Sequence, residues 1–168
     1  MAIRGWQKGL FKASQWAFKL AREGFQVPIP QSLLDRLVRR VDDPSVRDLK
    51  LEAQTGDRVQ LSGLKKKGVW VSFSATFGLA APGPDDPPQS LALQLQAAEP
   101  FFARSAVLAA LGNLDGVRVD GERVLVDLGE YIRQHQWGGK IPAAVRERLR
   151  ITDAHSSDGR IQLRVGLA

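Results

Sequence analysis

The chain has 168 residues, 43% of them hydrophobic and 25% charged, so it can bury one core and is too apolar to be a disordered polymer. Its formal net charge is +6, which favours anionic partners such as nucleic acid, anionic lipid headgroups or acidic proteins. It contains no cysteine, and this excludes disulfides, thiol catalysis and Cys-ligated metal sites.

The sequence predicts neither a transmembrane helix nor a signal peptide. It has no run of about 18 apolar residues, the length that a membrane span needs. A secretory signal needs a continuous apolar core, and Lys8, Lys12 and Lys19 interrupt each candidate. As written, the chain is expected in the cytoplasm or at the periphery of a membrane, without a choice between the two.

Residues 1–27 are predicted to be an amphipathic N-terminal helix. When residues 3–25 are placed at 100° per residue, the apolar side chains share one broad arc and the basic side chains gather on the narrow remaining face. The aromatic members of the arc are Trp6, Trp16, Phe18 and Phe25, and the lysines of the other face are Lys8, Lys12 and Lys19.

This helix has two interpretations. A wide apolar arc with Trp and Phe, backed by Lys, is typical of a helix that lies in a membrane interface. An ordinary helix packed on a sheet, with its charged side in water, has the same pattern, and both hold if the helix covers a sheet and also touches lipid. Gly24, Pro28 and Pro30 are expected to end it.

Residues 28–168 are predicted to form a single α+β domain in which a short helix followed by a β-hairpin occurs three times. The three units lie at about residues 29–64, 100–128 and 141–167, and each hairpin alternates apolar and polar residues around a Gly-containing turn. The middle hairpin turns at Asp120-Gly121, a pair that suits a type I′ turn.

Two longer strands separate the first and middle units. The segments "VWVSFSATFGLA" and "LALQLQA" alternate, and "APGPDDPPQS" between them is predicted to be a Pro-rich loop or a disordered tip. The predicted fold is therefore α+β: a curved antiparallel sheet of about seven strands, wrapped on the long N-terminal helix and short helices.

The order of these segments resembles a known family. An opening helix, "LSGLKKKGVWVSF", a "PFF" helix, "GVRVDGERVLVDL", an Ile-Pro helix and a final hairpin are similar to the LmeA-like bacterial phospholipid-binding proteins, of the tubular lipid-binding superfamily. The resemblance spans roughly residues 28–168. It implies a strongly bent sheet around a long helix, with an apolar groove for acyl chains.

The resemblance also implies which residues would line the groove. Besides the apolar side of the opening helix, these are Val69, Val71, Phe73, Phe77, Leu91 and Leu93. The alternation alone predicts that the same residues fill an ordinary core. The cluster Lys65, Lys66 and Lys67 would join the helix lysines at anionic headgroups, or it is a solvated turn that guards a strand edge.

No pattern in the sequence indicates catalysis. His135 and His155 stand alone without metal-ligand spacing, and the segment 153–159 is a hairpin turn rather than a calcium loop. The sequence contains no nucleophile elbow, phosphate loop or dinucleotide fingerprint. We expect no catalytic residue, no metal and no cofactor, and therefore no enzyme.

Two functions remain from different classes. The first is a non-enzymatic lipid-binding or peripheral membrane protein, whose partner is phospholipid or an anionic membrane surface. The second is an interaction module that docks its aromatic N-terminal helix into a larger protein complex. Nucleic acid is disfavoured, because the chain has one Tyr and no basic and aromatic residues interleaved on a strand pair.

Overall fold

A computed structural model describes residues 15, 18, 19, 22–134 and 142–167. Over these residues the chain is α+β and antiparallel, as predicted, with nine strands in two sheets. The helices are α1 (Gln31–Arg39), α2 (Ala103–Gly112), α3 (Gly129–Gln134) and α4 (Ala143–Arg146). The strands are β1 (Phe25–Pro30), β2 (Val46–Gln54), β3 (Arg58–Lys67), β4 (Val69–Ala80), β5 (Ser90–Glu99), β6 (Val117–Asp120), β7 (Arg123–Asp127), β8 (Leu149–Ser157) and β9 (Arg160–Leu167).

The larger sheet has six strands in the order β2-β3-β4-β5-β7-β6. The two long strands β4 and β5 form its middle, and the first and middle predicted hairpins flank them on either side. The third hairpin pairs instead with β1, in a three-stranded sheet of order β1-β9-β8. The prediction of about seven strands in one sheet is therefore wrong in number and in partition.

The segment that the sequence predicts as a long N-terminal helix lies largely outside the described residues. Residues 15, 18, 19 and 22 are helical, and the Glu23 amide donates to the Lys19 carbonyl at 2.8 Å. Gly24 has a φ of +62°, and β1 begins at the next residue. The prediction that the helix extends over Phe25 to residue 27 is thus wrong, because Phe25 begins a strand and pairs with Val165.

The two sheets share one apolar core. We call the face of the six-stranded sheet that α1 and α2 cover the inner face. Its fully buried side chains include Phe77 and Val124, and they pack in one cluster with Val27, Ile151 and Leu163 of the three-stranded sheet. Leu33, Leu34, Leu37 and Val38 put the apolar side of α1 on this cluster, since residues three and four apart share a helix face.

The Pro-rich segment between β4 and β5 is an ordered loop that joins the two sheets. Arg150 of β8 donates from Nη2 to the carbonyl oxygens of Pro82 and Gly83, at 2.9 and 3.0 Å. The Ile151 amide donates to the Pro88 carbonyl at 2.9 Å. Of the two predicted alternatives, the loop is confirmed and the disordered tip is wrong, because hydrogen bonds to β8 hold its carbonyls.

Asp86 fixes the same loop to the hairpin of β6 and β7. Arg123 Nη1 donates to Asp86 Oδ1 at 2.8 Å, Arg123 Nη2 contacts the second carboxylate oxygen, and the Gly83 amide donates to Oδ2 at 2.6 Å. These hydrogen bonds, with that of Arg123 the largest cause, lower the pKa of Asp86 to about 2.

The middle hairpin differs from its predicted turn type. Asp120 pairs with Arg123, so the two loop residues are Gly121 and Glu122. Gly121 has a φ of +61°, whereas Glu122 is not among the residues with positive φ. A type I′ turn needs positive φ at both loop positions, so this prediction is wrong. A glycine at the first loop position is the pattern of a type II′ turn.

The depressed pKa of Asp86 predicts a loss of stability in acid. An unfolded Asp titrates near 3.9, roughly two units higher, so the stabilisation is complete above about pH 4 and is lost as pH falls towards 2. In Asp86→Asn the free energy of unfolding should lose this part of its pH dependence. Urea unfolding over pH 2–6 would measure it, with Asp85→Asn as the control. If the free energy of unfolding of Asp86→Asn depended on pH as strongly as that of the unmodified protein, Asp86 would not be the cause of this pH dependence.

Candidate lipid-binding cavity

An apolar pocket lies between the inner face and the two helices that cover it. Its cavity volume is about 40 Å³, and every lining side chain is apolar. Helix α1 contributes Leu37 and Val38, helix α2 contributes Val107 and Leu111, and Phe77 lies on the sheet between them. We call this space the inner pocket. An apolar cavity of this kind favours hydrocarbon over water.

A larger cleft adjoins the inner pocket, with a volume of about 430 Å³. This is within the range of small-molecule sites, roughly 300–1,000 Å³. The cleft lies between α1, α3 and the sheets, and Ile29 and Ile161 of the three-stranded sheet close one side. The pocket and the cleft are neighbours, because both are lined by Leu37, Leu51, Leu93, Val117 and Val126.

The cleft differs from the inner pocket in having a polar rim. The rim consists of side chains from α1, α3 and the turns around β6 and β7, and both signs of charge are present. They are Arg36, Arg40, Asp115, Asp127, Glu130, Tyr131 and Gln134. An apolar interior with a few polar groups at its mouth is the usual arrangement of a site for an amphipathic ligand.

Tyr131 connects α3 to the strand beneath it. Its hydroxyl donates to the Pro28 carbonyl of β1. Burial raises the pKa of the Tyr131 phenol, with Arg36 opposing this by a smaller effect, so the hydroxyl stays protonated and able to donate. Gln31 Nε2 donates to the Leu51 carbonyl at 2.5 Å and holds the start of α1 on β2.

Four of the six groove residues implied by the resemblance line these cavities. Phe73, Phe77 and Leu93 line the inner pocket, and Leu91 and Leu93 line the cleft. The other two, Val69 and Val71, lie further along β4 and line neither. Val69 is 69% exposed and Val71 is half-buried.

The predicted residues of the opening helix are not brought to the cavities within the described chain. Trp6, Lys8, Lys12 and Trp16 lie outside the described residues. Phe18 is 70% exposed. Phe25 is half-buried against the core on β1.

The lysines of the cluster Lys65, Lys66 and Lys67 differ in their partners and in their exposure. Lys65 Nζ donates to the Ser45 hydroxyl at 2.5 Å and lies 3.6 Å from Asp43, so its charge is already balanced. Lys66 and Lys67 are exposed at the end of β3, and Lys67 Nζ lies 5.2 Å from the centre of the Phe102 ring. The headgroup prediction therefore rests on Lys66 and Lys67 more than on Lys65.

Helix α3 is the part of the site that sequence analysis missed, and it contributes Glu130, Tyr131 and Gln134 to the rim. Two features of the sequence indicate this helix. Asp127 Oδ1 accepts from the Gly129 amide at 2.9 Å at the start of the helix, and the apolar residues Leu128, Tyr131 and Ile132 have helical spacing.

Within the described chain, His155 with its two carboxylate neighbours is the group that most resembles a metal site. Its Nδ1 lies 3.1 Å from Asp57 and its Nε2 lies 2.7 Å from Asp153. The two carboxylates face opposite edges of the ring, so they cannot bind one ion together with it. Hydrogen bonding to Asp57, and then to Asp153, raises the pKa of His155. Among the described residues no three of His, Asp and Glu form a metal-binding group.

No protein-family model, curated protein or solved structure matches the chain. The fold and cavity define an antiparallel α+β protein with an apolar internal site and a polar rim. Within the described ranges no helix is both long and apolar enough to span a bilayer.

The shape of the inner pocket depends on Gly63. A Cβ at this position would lie 2.8 Å from Leu49 Cδ2 and 3.2 Å from Phe73 Cε1, and both side chains line the pocket. Gly63→Ala should therefore lower the free energy of unfolding by about 1–3 kcal/mol, through overpacking. Chemical denaturation would measure the loss.

Gly112→Ala is the matched control, because its added Cβ would meet Val119 at an ordinary 3.5 Å. We expect this variant to be as stable as the original protein or slightly more stable. Combining Gly63→Ala with Leu49→Ala should cost less than the sum of the two single changes, since the shorter side chain relieves the closest contact. Strict additivity would contradict this account of Gly63.

Proposed function

We propose that this protein is a non-enzymatic lipid-binding protein that holds phospholipid acyl chains in the inner pocket and the cleft. The observation that supports this most is that the two spaces are neighbours and share five lining side chains, which are Leu37, Leu51, Leu93, Val117 and Val126. A ligand with an apolar tail could extend from the cleft towards the pocket and leave its polar end at the rim.

The chemistry of the lining favours hydrocarbon. The shared side chains are aliphatic, and the pocket adds Phe73 and Phe77. Each methylene of a chain moved from water to such surroundings gains about 0.8 kcal/mol. Ten buried methylenes would thus supply roughly 8 kcal/mol, which is set against the costs of association and of ordering the chain.

The rim suits a polar headgroup. Arg36 on α1 and Arg40, which directly follows α1, are cations that can meet a phosphate, and Asp127 and Glu130 lie on the same cleft. A mixture of cations and carboxylates is complementary to a headgroup that carries a phosphate together with an ammonium or hydroxyl group. This proposal agrees with the resemblance to LmeA-like proteins, which remains a prediction.

Native mass spectrometry of the purified protein tests the proposal. We expect added mass that organic extraction identifies as phospholipid, near one molecule per chain. Protein that is bare after purification should take up pyrene-labelled phosphatidylcholine and give a saturable rise in fluorescence. A bare mass together with no saturable uptake would overturn the proposal.

A larger side chain at Val126 should block the site. Val126 is half-buried and lines both the pocket and the cleft, so Val126→Phe fills the space where they meet. We expect uptake of pyrene-labelled phosphatidylcholine to weaken by roughly tenfold or more, which corresponds to the loss of about two buried methylenes. Fluorescence titration measures this affinity.

Val119→Phe provides the matched control on the same hairpin. Val119 is also half-buried, but it lines neither the pocket nor the cleft. Circular dichroism would show that both variants fold. Equal losses of affinity in the two variants would argue against a ligand at Val126, and so would unchanged affinity in Val126→Phe.

The interaction module is favoured by one observation, the 70% exposure of Phe18 on a helical segment. An aromatic side chain in this setting is what a partner groove would bind. If the protein takes up no lipid, the interaction module becomes the favoured function. Phe18→Ser should then bind the protein partner more weakly than the unmodified chain does.

A further inference from the structure

The hairpin of β3 and β4 projects beyond the strands on either side of it. The last pair between β2 and β3 is Val46 with Lys65, and the last pair between β4 and β5 is Ser74 with Glu99. Beyond these, Lys66 pairs with Trp70 and Lys67 pairs with Val69 around Gly68, whose φ is +81°. We call residues 66–71 the hairpin tip.

Exposed apolar side chains gather at this end of the molecule. Val69 is 69% exposed and Phe101 is 95% exposed. Phe101 follows the end of β5, its ring meets Phe102 edge-on at 5.8 Å between centroids, and Phe102 lies beneath Lys67. A single exposed phenylalanine needs no explanation, but two large apolar side chains at one projecting end mark a contact surface.

The charge around these side chains is positive. Lys66 and Lys67 form no ion pair within the described residues, and Arg47 stacks on the Trp70 ring at 4.0 Å. The nearby carboxylates Asp43 and Asp48 already face Lys65 and Arg47, and Glu99, two residues before Phe101, is the acidic side chain at the end of β5. Lysine and tryptophan beside exposed aliphatic and phenyl groups are the combination that favours the boundary between lipid headgroups and acyl chains.

The tip also connects to the proposed binding site. Val69, Val71, Phe73 and Phe77 are on the same face of β4, since residues two apart on a strand share a face. Their exposure falls from 69% at Val69, through half-buried Val71, to 6% at Phe73 and 1% at Phe77. An apolar row thus leads from the tip to the inner pocket, which Phe73 and Phe77 line.

We infer that this end of the molecule, with Val69 and Phe101 as apolar anchors and Lys66 and Lys67 as headgroup contacts, docks on an anionic lipid bilayer. Docking would place the open end of the apolar row at the acyl chains. The inference concerns the surface and not the cavity, so it can fail while the proposed lipid binding holds.

Co-sedimentation with sucrose-loaded vesicles tests the inference on the full chain. We expect the protein to bind vesicles of phosphatidylcholine mixed with phosphatidylglycerol, and to bind pure phosphatidylcholine at least several-fold less. Val69→Asp/Phe101→Asp and Lys66→Glu/Lys67→Glu should each lower the partition coefficient by roughly tenfold or more. Uptake of pyrene-labelled phosphatidylcholine, measured separately, reports on the cavity.

Arg58→Glu/Arg160→Glu is the charge-matched control. Both arginines are exposed at hairpin turns, and Arg58 is at the opposite end of β3 from the tip. This variant should keep at least half of the original partition coefficient. An equal loss in the control would overturn the inference, because binding would then follow net charge alone.

Two other results would also overturn it. One is that the unmodified protein does not bind anionic vesicles, which would favour a protein partner for the same surface. The other is loss of vesicle binding in Phe18→Asp while both tip variants bind normally, which would assign docking to the N-terminal segment. Thermal unfolding of each variant establishes that the compared proteins are folded.

Discussion

The structure depends on one mismatch of size: the inner face of the six-stranded sheet is larger than the helices that cover it. Six strands span about 24 Å across, and strands of nine to twelve residues run roughly 30–40 Å. Helices α1 and α2, of nine and ten residues, are each about 15 Å long and about 10 Å wide. Two such helices leave apolar sheet between them, where the inner pocket lies, and the cleft lies beside this pocket, between α1, α3 and the sheets.

The remaining elements hold this arrangement in place. The three-stranded sheet closes one side with Ile29 and Ile161, and the loop of residues 81–89 joins both sheets through Arg150 and through Asp86 with Arg123. Helix α3 adds Glu130, Tyr131 and Gln134 to the polar rim. The spaces are therefore framed by elements that pack on one another and by a loop held by charge-assisted hydrogen bonds, which keeps the lining side chains in place.

Much of the fold could be predicted from alternation and turn residues, and the rest depends on tertiary pairing. The hairpins at Gly56, Gly121 and Gly159 follow from local chemistry. The pairing of β9 with β1, instead of with the larger sheet, is not encoded locally. The apolar spacing of Phe25 suits a helix as well as a strand, so the sequence alone does not predict that it begins β1. Phe73, Phe77, Leu91 and Leu93 were expected on a groove, whereas the rim depends on α3, whose six residues are too few for a clear period.

The most direct test of the central claim is methyl NMR with phosphatidylcholine that carries a nitroxide on its acyl chain. If acyl chains enter the sheet–helix space, the methyl signals of Leu51, Leu93 and Val126 should broaden at near-stoichiometric lipid. The methyls of Leu163 and Val165, buried in the three-stranded sheet and outside both linings, should broaden less. Broadening confined to surface methyls, with Leu93 and Val126 unaffected at saturating lipid, would contradict the account.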